Sequence, residues 1–155
     1  MKSRSYRVDI SGLIAGGRQT LLVDDEVPIE TFEGIHFPQP ARVHLELRYV
    51  DRLLHIEGRV DVEAHGECDS CSEHVERTMS VGIDERLDPG TGRDDDPFGE
   101  NNVLTGDRLD IADLTQQTVL SEIPMGWRCS GDCAGLCVTC GTNRNASTCS
   151  CDNGD

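Results

Sequence analysis

The sequence predicts an α+β fold: an antiparallel β-meander sheet with one packed helix, a C-x-x-C hairpin knuckle and a cysteine-rich, zinc-binding C-terminal tail. Three observations predict it. Runs in the middle of the chain alternate apolar and polar residues with a period of two, one capped stretch shows a helical apolar face, and the eight cysteines fall as an early pair and six late ones. Only 36% of the 155 residues are apolar and 4% aromatic. A core made from so few large side chains is modest, so cross-links add stability.

Tyr6, Val8 and Ile10 alternate with polar residues and predict a short strand, broken at Ser11-Gly12 and Gly16-Gly17. Leu21, Leu22 and Val23 make a brief second strand. Residues 24–40 contain three of the six prolines and predict turns. Ala41, Val43, Leu45, Leu47 and Tyr49 then point one way, and Arg42, His44, Glu46 and Arg48 the other. That is the pattern of a half-buried strand. A turn near Val50-Asp51-Arg52 leads to a second such strand through Leu54, Ile56, Val60, Val62 and Ala64, and a third holds Val75, Met79, Val81, Ile83 and Leu87. The three form a meander with one wet face. Cys68-Asp69-Ser70-Cys71 falls at the turn between the last two, where a tight turn aims both sulfurs at one point.

Residues 88–107 are rich in Asp, Gly and Pro and predict an acidic, mobile loop, with Asp94-Asp95-Asp96 a solvated run. A helix is predicted over 110–123, capped by Asp110, with Asp113 in its first turn and a stop at Pro124. Ile111, Ala112, Val119, Leu120 and Ile123 share its apolar side, and Leu114 falls off it. The organisation is therefore a β-rich body over 1–124 and a cysteine-rich tail over 125–155.

All eight cysteines, Cys68, Cys71, Cys129, Cys133, Cys137, Cys140, Cys149 and Cys151, are candidate metal ligands, enough for one or two zinc ions. In Cys137-Val138-Thr139-Cys140-Gly141 the glycine lets the backbone turn and point amides at the sulfurs. Cys149 and Cys151 close that shell. Cys68, Cys71, Cys129 and Cys133 form a second one, stapling the end of the helix to the hairpin tip, although a tail with this many thiols can share ligands in other ways. Sites with a full set of cysteines have no open position, so they read as structural and the chain as no enzyme. The start of the chain shows no signal-peptide pattern, and no apolar run approaches membrane-spanning length. A cytoplasmic location follows, where paired cysteines bind metal more often than they form disulfides.

Other chemistries fit less well. His65-Gly66-Glu67 resembles the His-x-Glu of zinc deaminases, but there the C-x-x-C lies well downstream. A thioredoxin-like role for Cys68 and Cys71 is disfavoured by flanking strands and by Glu67, Asp69 and Glu73, whose charges oppose thiolate formation. His65 and His74 flank the pair and read as solvent-facing strand residues before they read as ligands. The net charge of −15 repels nucleic-acid phosphates and attracts basic proteins. Binding of naked RNA is therefore not expected.

The β-rich first half, the Cys68/Cys71 hairpin, the acidic loop, the Leu109-Asp110-Ile111-Ala112-Asp113-Leu114 segment and its end at Glu122-Ile123-Pro124 occur in a definite order. Cys133-Ala134-Gly135-Leu136-Cys137-Val138-Thr139-Cys140-Gly141-Thr142-Asn143-Arg144-Asn145 and Cys149-x-Cys151 follow. In this succession the chain resembles the YceD family, small bacterial and plastid proteins linked to accumulation of 23S ribosomal RNA of the large subunit. Val138 stands where that tail motif usually has proline. Some members lack most tail cysteines, which makes Cys68, Cys71 and one or both of Cys129 and Cys133 the better candidates for a shared site. The resemblance implies a ribosome biogenesis factor. Joined to the acidity, it implies a basic large-subunit ribosomal protein or a pre-ribosomal particle as partner. The alternative is a redox- or zinc-responsive regulator that uses the cysteine cluster.

Overall fold

The alternating segments in the middle of the chain form strands of one antiparallel sheet in the computed structural model, which describes residues 5–91, 98–99, 102–149 and 151. Arg7–Asp9 is β1, and the short helix α1 follows at Ser11–Ile14. Leu21–Val27 (β2), Ala41–Val50 (β3), Leu53–Glu67 (β4) and His74–Leu87 (β5) are hydrogen-bonded in chain order, each pair antiparallel. Leu104–Thr105 (β6), Arg108–Asp110 (β7) and the helix Ile111–Glu122 (α2) complete the elements among the described residues. The short strands make a separate sheet in the order β1-β7-β6.

The inner face of the large sheet is the row the period-two pattern marks. Val43, Leu47, Leu54, Ile56 and Val60 are fully buried and pack with Ile111, Leu114 and Val119 of α2 and with Leu104 and Leu109 of the small sheet. Asp110 caps α2 by accepting the Asp113 amide on its carboxylate at 3.0 Å. The β3–β4 connection is a two-residue turn with positive φ at both Asp51 and Arg52, whose backbone twist suits a hairpin.

A second, smaller cluster sits at the far end of β4 and β5. Trp127 is only 3% exposed and packs with Ile35 and Ala64. It lies over Gly66, where a Cβ would come within 2.9 Å of its Nε1. The Arg77 guanidinium stands 4.9 Å from the ring centroid.

Four expectations need correcting. Asp24 to Val27 extend β2 instead of starting turns, because they pair in register with His44 to Ala41. The 88–107 stretch is not loop throughout: Val103 and Leu104 are buried, and Leu104 pairs with Leu109. Residues 92–97, 100 and 101, with the Asp94-Asp95-Asp96 run, lie outside the described residues. Leu114 is buried, since the core-facing stripe of α2 runs through Ile111, Leu114, Thr115 and Val119 at helical spacing and leaves Ala112 and Leu120 only half-buried. The break at Ser11-Gly12 is the start of α1.

Candidate metal centres

The long β4–β5 hairpin ends in Cys68-Asp69-Ser70-Cys71, which turns the chain between its strands. The turn is closed by the Ser72 amide donating to the Cys68 carbonyl at 2.9 Å and the Cys68 amide to the Glu73 carbonyl at 2.8 Å. Beyond α2 the chain passes Trp127 and returns to this tip. The Asp69 amide donates to the Trp127 carbonyl at 2.7 Å, and the Trp127 amide donates back to the Asp69 carboxylate at 2.7 Å. This reciprocal pair delivers Cys129 and Cys133 to the hairpin.

The Sγ atoms of Cys68, Cys71, Cys129 and Cys133 all lie within 4.8 Å of one another. Cys68 and Cys133 are 3.7 Å apart, as are Cys71 and Cys129. Zinc–sulfur bonds of ~2.3 Å in a tetrahedron separate the sulfurs by about 3.8 Å, so this donor set fits a four-thiolate zinc shell. Cys68 and Cys71 are buried, Cys133 is half-buried and Cys129 is exposed.

Cys137, Cys140, Cys149 and Cys151 form the second group, again with every Sγ within 4.8 Å of the others. Its turn is held by the Gly141 amide donating to the Cys137 carbonyl at 2.9 Å and the Cys137 amide to the Thr142 carbonyl at 2.8 Å. Gly141 adopts φ +76°, a region glycine enters without a Cβ penalty.

Within each tetrad the thiols titrate apart. Burial pushes the Cys68 thiol up, but the amides of Cys129, Cys71 and Ser70 outweigh it and bring it down to about 6. The Glu73 amide draws Cys71 down, yet burial and the neighbouring thiols of Cys68, Cys129 and Cys133 push it up to about 12. In the tail, the Cys140 and Thr139 amides lower Cys137 to about 6, while Cys140 and burial raise Cys151 to about 12. Four sulfurs this close cannot all be anions unless a cation compensates them, as a divalent ion at the centre would.

The two tetrads are joined through the tail. The Leu136 amide donates to the Ser70 carbonyl at 3.0 Å, and Asn143 Nδ2 donates to the Glu73 carboxylate at 2.8 Å. Gly135, with φ +78°, passes so close that a Cβ there would meet the Ser70 carbonyl oxygen at 3.2 Å.

A family model described as "Large ribosomal RNA subunit accumulation protein YceD" matches residues 56–155, which include most of β4, all of β5 and α2, and every cysteine. The chain belongs to this family. No curated protein and no solved structure matches it. Membership in the YceD family ties the chain to accumulation of large-subunit ribosomal RNA.

The eight cysteines expected as ligands gather in two tetrads, each of which could hold a metal ion. Sequence reasoning missed Asp69, Trp127 and Asn145, which hold the first tetrad together. Trp127, the single tryptophan, was the available signal. His65 differs from expectation: its side chain is only 15% exposed, because Glu63 and the rings of His36 and His74 surround it. Among the described residues, no helix is long and apolar enough to cross a membrane.

Proposed function

We propose that this YceD-family chain is a non-enzymatic ribosome biogenesis factor of the cytoplasm. It supports 23S ribosomal RNA accumulation by binding a basic protein of the large subunit. Each tetrad holds one zinc ion, with Cys68, Cys71, Cys129 and Cys133 around the first and Cys137, Cys140, Cys149 and Cys151 around the second. The ions supply charge compensation and cross-linking, and no open coordination position for catalysis. A four-thiolate zinc site adds about two further negative charges to a chain already at −15.

The observation that carries the partner's chemistry is a row of carboxylates on the outer face of the large sheet. Glu46 is directly opposite Glu57, and Glu57 directly opposite Asp84, all three exposed. Like charges placed across neighbouring strands destabilise a sheet. Arg48 relieves part of this, 3.3 Å from Glu57 and 3.6 Å from Glu46. A lysine- or arginine-rich partner relieves the rest, and the net charge of −15 disfavours naked RNA.

Affinity purification from a bacterial lysate tests the reading. It should recover basic large-subunit proteins at low salt and lose them at moderate salt, and the Glu46→Gln, Glu57→Gln, Asp84→Asn triple variant should recover fewer. Recovery of protein-free ribosomal RNA, indifferent to the triple variant, would overturn it.

Exposure of Cys129 and Cys140 favours a second reading, a redox- or zinc-responsive regulator. Oxidation of an exposed thiolate would release metal and free the tail. Retention of all zinc and all thiols under mild peroxide eliminates this reading.

A further inference from the structure

The register of the β4–β5 hairpin assembles a third group of metal-ligand side chains, separate from the cysteines. His65 lies directly opposite Glu76, and Glu67 opposite His74. Residues two apart on a strand share a face, so Glu63 and His65 on β4 stand beside His74 and Glu76 on β5. The His65 and His74 imidazole nitrogens and a Glu76 carboxylate oxygen lie within 4.8 Å of one another. Both rings present Nε2 to the same oxygen: Glu76 Oε1 is 3.0 Å from His74 Nε2 and 3.9 Å from His65 Nε2. Glu63 Oε1 lies 2.7 Å from His65 Nε2.

His65 is also held from the other side. Its backbone pairs with that of His36 through two hydrogen bonds of 2.8 and 2.9 Å, and the His36 ring meets it edge-on with centroids 5.3 Å apart. His74 meets it from the opposite side at 5.2 Å and nearly perpendicular. The imidazole is therefore oriented by its neighbours before any ligand arrives, which lowers the ordering cost of binding.

We propose that His65, His74 and Glu76 form an exchangeable site for a borderline divalent transition-metal ion of the zinc class, with the Glu63 carboxylate as an adjacent fourth group. Imidazole donors select such ions over magnesium and calcium. Binding requires each Nε2 lone pair, so the neutral rings carry their hydrogen on Nδ1 in the bound form. Nε2 and carboxylate donors ~2.0–2.1 Å from an ion stand about 3.3 Å apart in a tetrahedron, a small contraction at His65 and expansion at His74 from the distances found. Three protein donors leave a position for water or for a donor group from a partner, unlike the closed cysteine tetrads. The His74 and Glu76 side chains are 55% and 57% exposed, so the ion exchanges with solvent.

The test uses full-length protein whose tetrads are already loaded with zinc. Calorimetric titration with further zinc should show one additional, weaker equivalent that a mild chelator removes. His74→Gln and Glu76→Gln should each weaken it at least tenfold, and His55→Gln should not. In the unsubstituted protein, imidazole nitrogen resonances of His65 and His74 should move with the added equivalent while those of His44 and His55 stay in place. An absent extra equivalent, one unaffected by His74→Gln, or equal movement of all four imidazoles would overturn the proposal. The imidazole measurement decides the matter if a variant does not fold.

Discussion

Asn145 donates from Nδ2 to the Cys133 sulfur at 3.3 Å, although Cys133 belongs to the hairpin tetrad and Asn145 to the loop that carries the tail tetrad. The same side chain accepts the Ala134 amide at 2.8 Å and donates to Asn143 Oδ1 at 3.0 Å. Its amide is the foremost cause holding the Cys133 thiol below the ordinary cysteine value. Partners of this kind orient metal ligands and stabilise their charge, and removing one typically costs about 10–100-fold in metal affinity. Asn145→Ala should therefore speed zinc release from the first tetrad to a chromophoric chelator while leaving total zinc in fresh protein at two ions. Unchanged release would show that the contact carries no weight.

Removing one ligand from each tetrad should separate their roles. Cys71→Ser and Cys140→Ser should each reduce bound zinc from two ions to one, read by native mass spectrometry. Trp127 reports which one has been lost. It is the single tryptophan, buried at 3% exposure, and its backbone is tied to Asp69 between the hairpin cysteines. Loss of the first ion should free this junction and shift tryptophan emission to longer wavelength. Loss of the tail ion leaves Asp69 and Trp127 paired and the emission in place. Equal shifts in both variants would mean the tetrads do not fold independently.

Acid should act measurably at the N-terminal turn. The Asp9 carboxylate accepts the Ser11 amide at 2.8 Å, and the Ser11 hydroxyl is the largest cause that lowers the Asp9 pKa below 3.8. A folded-state pKa below the unfolded value stabilises the fold above about 3.8, and that contribution disappears as pH falls through the folded value. Carboxyl NMR should place the Asp9 midpoint below 3.8, and Ser11→Ala should move it upward. A midpoint indifferent to that substitution would remove the hydroxyl from the account.

The strands of the large sheet were legible because burial on one face writes a period of two into Val43, Leu45 and Leu47 and again into Leu54 and Ile56. The cysteine pairing was legible because a C-x-x-C turn restricts which sulfurs converge. The small sheet was not recognised: β1 was read as a strand from Tyr6, Val8 and Ile10, but its partners β6 and β7, two and three residues long, are too short to show periodicity. Nor was Leu114 placed in the core, since the buried stripe through Ile111, Leu114, Thr115 and Val119 includes a threonine that satisfies its hydroxyl on the Ile111 carbonyl and so does not read as apolar. The gathering of His65, His74 and Glu76 depends on cross-strand register. The register that sets His65 opposite Glu76 and Glu67 opposite His74 is what makes His74, nine positions after His65, its neighbour in space.

Two glycines in the large sheet should respond oppositely to alanine. A Cβ at Gly58 would fall 1.9 Å from the His44 carbonyl oxygen, with the Leu45 Cα also inside 3.0 Å, so β3 and β4 would have to part at their centre. Gly82 of β5 has nothing within 4 Å of that position and points to solvent. Overpacking a rigid site costs roughly 1–3 kcal/mol, and backbone in place of a yielding side chain puts Gly58→Ala at or above the top of that range. Gly82→Ala meets no obstacle and restricts the unfolded chain, for a gain of about 0.4–1 kcal/mol. Denaturant unfolding of the zinc-loaded protein should give midpoints that move in opposite directions, with unchanged slopes. Because the clash is local to the β3–β4 contact, zinc content should remain at two ions in Gly58→Ala protein that still folds. A midpoint for Gly58→Ala equal to that of the parent would mean the two strands are not held as closely as their register requires.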